Sequence, residues 1–157
     1  MKGFYLAQEG HPVLALPPQD VNGGVSANRF KMNHHGHASI IVAIGASAAA
    51  ATKILVHEAD AESDGNKNAI GFDYFAETTA NGDTLGAKQA VSAAGVTPTA
   101  NDNVFYVIEI DASALSDGFD WIEVEITNAS GNSVLASVVA VLSGARYSGD
   151  QSATAIA

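Results

Sequence analysis

Trp121-Ile122-Glu123-Val124-Glu125-Ile126 is the stretch on which the reading of the chain turns. Its aliphatic residues at 122, 124 and 126 alternate with carboxylates at 123 and 125. A period of two belongs to a β-strand with one dry face and one wet face. Apolar runs of similar length recur on either side: Ile40-Ile41-Val42-Ala43-Ile44, Lys53-Ile54-Leu55-Val56, and residues 70–76, 104–110 and 134–142. Between them stand Asp64-Gly65-Asn66, Asn81-Gly82-Asp83, Asp117-Gly118 and Ser130-Gly131-Asn132, all turn formers. Short β-branched and aromatic runs bounded by such turns predict an all-β fold, an antiparallel β-sandwich or jelly roll. Residues 85–94 are the one stretch that suggests a helix.

Two of the runs break the wet-and-dry rule. Val104, Tyr106, Ile108 and Ile110 share one face of a strand while Phe105 and Val107 occupy the other, and 134–142 is apolar on both faces apart from Ser137. A two-sheet sandwich covers only one face of each strand, so these strands predict a second cover.

Residues 1–30 read as an extended N-terminal arm. Pro12, Pro17 and Pro18 punctuate Val13-Leu14-Ala15-Leu16 and interrupt backbone hydrogen bonding. Phe4, Tyr5, Leu6, Val13, Leu14 and Leu16 must still be buried, either on the domain's own sheet or against a neighbouring subunit. The sandwich domain is expected over 31–147. Residues 148–157, and the tail from Arg146 and Tyr147 onward, carry no periodicity.

Composition narrows the function. The 157-residue chain carries 17 Asp and Glu against 7 scattered Lys and Arg, a net charge of −10. Nucleic-acid binding and attachment to an anionic membrane both need clustered cations, so neither is expected. The uncharged, mostly apolar stretch 38–52 is shorter than the roughly 20 apolar residues of a membrane-spanning helix. Residues 8–12, Gln-Glu-Gly-His-Pro, fall where the apolar core of an export signal would continue, so none is read. The absence of cysteine excludes disulfides and thiol chemistry.

Three clusters could carry chemistry. Asp60-Ala61-Glu62-Ser63-Asp64-Gly65-Asn66 begins like a calcium loop, but position twelve is Gly71, where a bidentate Glu is required. A solvated acidic turn is the simpler reading. His35 and His37, beside His34, would share a strand face and offer two imidazoles to a metal, with His57 or His11 as a conceivable third ligand. Glu123 and Glu125 stand about 7 Å apart, within the range of glycosidase carboxylate pairs. They also match any half-exposed strand. Neither a catalytic residue, a metal site nor a cofactor is assigned, and no enzyme activity is expected.

The segments Asn33-His34-His35-Gly36-His37-Ala38-Ser39-Ile40-Ile41-Val42-Ala43-Ile44-Gly45, Asn101-Asp102-Asn103-Val104-Phe105-Tyr106-Val107-Ile108-Glu109-Ile110-Asp111 and Ala140-Val141-Leu142-Ser143-Gly144-Ala145-Arg146-Tyr147 resemble stretches of tailed-bacteriophage head decoration (cement) proteins. The resemblance spans roughly residues 1–148. It implies a structural protein on the capsid exterior of a virion, a homotrimer that binds the major capsid protein and bridges adjacent capsomers. The interface would then use Phe4, Tyr5, Leu6, Val13, Leu14 and Leu16 of the arm, with Arg146 and Tyr147 as a second contact. A carbohydrate-binding jelly-roll module, stacking sugars on Tyr74 or Trp121, is the alternative.

Overall fold

The computed structural model describes residues 3 and 5–145 and shows two antiparallel sheets packed face to face. A single turn of helix, α1 (Leu6–Glu9), leads into β1 (His11–Asp20), followed by the short strands β2 (Val25–Ser26) and β3 (Phe30–Lys31). Next come β4 (His35–Ser47), β5 (Lys53–Ala59), β6 (Lys67–Ile70), β7 (Phe72–Glu77) and β8 (Gln89–Val91). The last three are β9 (Val104–Asp111), β10 (Trp121–Thr127) and β11 (Val134–Ala145). The large sheet runs β1-β11-β4-β9-β7-β8. The small sheet runs β2-β10-β5-β6, with β3 also paired to β10. The expected all-β sandwich is therefore what the chain forms.

The inner faces make one core. Ile40, Val42, Ile108 and Val138 of the large sheet are fully buried, as are Ile54, Ile122 and Phe30 of the small one. The period of two in β10 aims Ile122, Val124 and Ile126 inward, as the sequence predicts. Chain reversals use the turn chemistry of the sequence. Asn81 takes φ of 58° and Gly131 φ of 84°, conformations that Asn and Gly reach at least cost.

Two local expectations change. Residues 85–94 contain no helix; Gln89–Val91 pairs instead with Phe72–Tyr74. The segment is exposed almost throughout and has no apolar stripe to bury, so alanine content alone does not hold a helix there. The prolines, in turn, do not keep the N-terminal stretch out of the sheet. His11–Asp20 is extended and forms a ladder with β11, at the edge of the large sheet. An edge strand tolerates proline because only one of its sides needs N–H donors. The ladder slips between Leu14 and Leu16 and again between Leu16 and Gln19, where Pro17 and Pro18 lie. The first slip lets adjacent Ala15 and Leu16 both reach the core.

Ile108 sits at the centre of the core with no exposed surface. Ile108→Ala should lower the unfolding free energy by about 3 kcal/mol, read from the midpoint of a urea titration with unchanged slope.

Candidate functional site

The register places the outward-pointing residues of the large sheet in rows across its strands. Leu14 faces Val139, Val139 faces Ile41, Ile41 faces Val107, and Val107 faces Phe75. Five apolar side chains thus cross five strands on the face turned away from the core. Val141, Ala43, Phe105 and Leu135 flank the row on the same face. Leu14 is 57% exposed, Leu135 47% and Ile41 38%. At one end a shallow hollow of about 440 Å³ opens between Ile41, Ala43, Gly45, Phe105 and Leu135. The two-faced apolar patterns of β9 and β11 are therefore real, and among the described residues Phe105, Val107, Val139 and Val141 on the outer side are only half-buried.

This face has a polar end. His37 Nδ1 lies 2.8 Å from Asp111 Oδ1, and its Nε2 lies 2.7 Å from Glu109 Oε2. Ser39 Oγ donates to the same Glu109 oxygen at 2.6 Å. An imidazole that serves carboxylates at both nitrogens must donate from both, which makes it an imidazolium. Burial pulls the His37 pKa down, but the bonds to Asp111 and Glu109 and their charges outweigh it and hold it above 6.5. His37 is thus held by its neighbours in strand β9.

The expected interface residues divide. Val13 and Leu16 are buried in the domain's own core, while Tyr5, Leu6 and Leu14 point outward. Phe4, Arg146 and Tyr147 lie outside the described residues.

The other clusters find different settings. Asp60 to Asn66 is the hairpin connection between β5 and β6. Asn66 Nδ2 donates to Asp60 Oδ2 at 2.7 Å, and a Cβ on Gly65 would collide with the Asp60 carboxylate. His35 is buried and stacked on His11, with centroids 5.8 Å apart, while His37 turns to the carboxylates. The two rings thus do not converge as a ligand pair. Trp121 carries the Lys31 ammonium 5.4 Å from its ring centroid. Tyr74 leans on Tyr106 and donates its hydroxyl to Gln89.

Glu123 and Glu125 differ most from a wet strand face. Glu123 is 5% exposed. Arg29 Nε donates to its Oε2 at 2.7 Å and Lys67 Nζ to its Oε1 at 2.7 Å, while Lys67 also reaches Glu125 Oε2 at 3.2 Å. Burial alone would push the Glu123 carboxyl up, but the bonds from Lys67 and Arg29 hold it below the usual range. The same contacts raise the Lys67 ammonium against the opposing effect of burial. His57 joins this cluster, and burial followed by the Lys67 charge keeps its pKa low. Sequence reasoning missed Arg29 and Lys67 as partners because they stand 94 and 56 residues from Glu123.

No protein-family model matches the chain, and no curated protein matches it by sequence. Among solved structures the chain is similar to the SPBc2 prophage-derived protein YomS, with 16% identity and a TM-score of 0.50. The match covers 85% of this chain and 92% of that one. At that identity the shared property is the fold: the sandwich is one that a prophage-derived protein also adopts.

Because the folded-state pKa of His37 is raised, its contribution to stability is complete below 6.5 and is lost as pH rises through the folded value. The stability difference between the native chain and His37→Gln should shrink across that window. Paired urea titrations at stepped pH check it, with the imidazole followed by NMR.

Proposed function

We propose that this chain is a non-catalytic structural protein of a phage virion, acting by burying the outer face of its large sheet against other proteins. The observation that carries this reading is the apolar row Leu14–Val139–Ile41–Val107–Phe75. The largest apolar patch on a soluble protein is often an interaction surface, and this continuous row forms such a patch on a flat sheet. The fold shared with a prophage-derived protein supports the phage assignment, as do the segments that resemble head decoration proteins. In this reading the chain sits on the capsid exterior, binds the major capsid protein and bridges adjacent capsomers.

Area decides how strong one contact can be. Five strands at about 4.8 Å spacing make the face about 19 Å wide, and the six residue steps from Leu135 to Val141 make it about 20 Å long. The projected area of about 400 Å² is half of the roughly 800 Å² per partner in a stable interface. A single copy would therefore hold weakly, and several linked copies would hold well. A homotrimer supplies that linkage. Tyr5 and Leu6, just before β1, are exposed as well.

The test is binding of purified protein to empty phage heads, after its mass in solution is measured by light scattering. Deleting residues 1–20 would be a poor probe, because Val13, Ala15 and Leu16 belong to the core. Ile41→Asp places one charge at the middle of the row without touching the core. Native protein should bind heads, and Ile41→Asp should weaken binding at least tenfold with an unchanged circular dichroism spectrum. Native protein that ignores heads, or Ile41→Asp that binds them equally well, would overturn the proposal.

A further inference from the structure

On the outer face of the small sheet, His57 of β5 is the direct cross-strand partner of Glu123, and Glu125 lies two residues further along β10. All three side chains therefore leave the sheet on the same side. One ligand atom from each lies within 4.8 Å of the other two. We propose that these residues form a binding site for a divalent transition-metal ion, Zn²⁺ by its ligand chemistry, and that Lys67 occupies it as a displaceable cation.

The donor set fits the ion. Zinc takes imidazole nitrogen and carboxylate oxygen at about 2.0–2.1 Å in a tetrahedron, which sets donors about 3.4 Å apart. Small side-chain rotations close the present gaps to that value, leaving the fourth position to water. Hard ions such as Ca²⁺ ask for six or more oxygens, and this site offers too few.

His57 is an independent indication. It is 8% exposed, yet its Nδ1 is buried without a hydrogen-bond partner, and its Nε2 stands 3.7 Å from Glu125 Oε2, beyond hydrogen-bond range. A buried imidazole with neither nitrogen satisfied by the carboxylates beside it leaves a lone pair to offer. Arg29, bound to Glu123 Oε2 and to the Ala61 carbonyl at 2.7 Å each, holds that carboxylate in place while leaving Oε1 for the ion.

Lys67 is the obstacle and also the clue. Its ammonium already lies between Glu123 Oε1 and Glu125 Oε2, where a cation is favoured. It belongs to β6, at the edge of the small sheet, and its side chain is 35% exposed. It can turn out to water when a metal enters, so metal and ammonium compete for the same oxygens. Bound metal would tie β5 to β10 and make the small sheet harder to open.

The experiment is a titration of full-length protein with Co²⁺, followed by its visible absorption, with Zn²⁺ competition and a calorimetric stoichiometry. Native protein should bind one ion, and Lys67→Met should bind at least tenfold more tightly because the competing ammonium is gone. Adding His57→Ala to Lys67→Met should remove the tight site and the tetrahedral cobalt spectrum. Circular dichroism establishes that each variant is folded, and Zn²⁺ should raise the Tm of Lys67→Met but not of the double variant. Binding by folded Lys67→Met that is no tighter than native, or that survives His57→Ala, would overturn the proposal. The second result would assign the ion to the scattered carboxylates or to the other histidines.

Discussion

Each strand of a β-sandwich has two faces, and the partner sheet can cover only one of them. Everything distinctive about this protein follows from what happens on the faces left over. Inside, Ile40, Val42, Ile108 and Val138 meet Ile54, Ile122 and Phe30 in a single dry core that fixes register and topology. A one-residue slip would turn that whole set outward, so the core strongly specifies how strands pair. Outside, the same pairing aligns Leu14, Val139, Ile41, Val107 and Phe75 into one apolar row. The row is a consequence of register and needs no further device to assemble it.

The two outer faces solve the problem differently. The large sheet leaves hydrocarbon on its outer face between the His37–Glu109–Asp111 cluster at one end and Glu77, opposite Phe105, at the other. The small sheet carries carboxylates, but it covers them with Arg29, Lys67 and the 60–66 hairpin. Burying Glu123 without those cations would cost several kcal/mol. With them the carboxylate stays ionised and the cluster is close to neutral. One face is thereby suited to a protein partner, and the other to cations.

The sequence displays the strands well because their information is local. Alternation in 121–126 and the turn residues Asn81-Gly82 and Ser130-Gly131 are short-range signals, and the strands lie where they point. It also displays the need for a second cover, since Phe105 and Val107 cannot share an inner face with Tyr106 and Ile108. Long-range pairing is what local reading cannot reach. Nothing near Glu123 announces Arg29 or Lys67, so a strand pattern that reads as half wet turns out to be covered. The prolines of β1 mislead for a related reason: their effect depends on whether the strand is central or at an edge, and only the topology decides that. The alanines of 85–94 carry helix propensity, but no apolar stripe gives that propensity a surface to pack on.

The proposed role requires the outer face of the large sheet to be buried against protein in the assembled particle. The most direct measurement is hydroxyl-radical footprinting of the free protein and of the same protein bound to phage heads, read residue by residue. On heads, Leu14, Ile41, Phe105 and Leu135 should be strongly protected, with Trp121 and the 60–66 hairpin labelled equally in both states. Bound protein in which those four side chains remain as reactive as in the free form would contradict it.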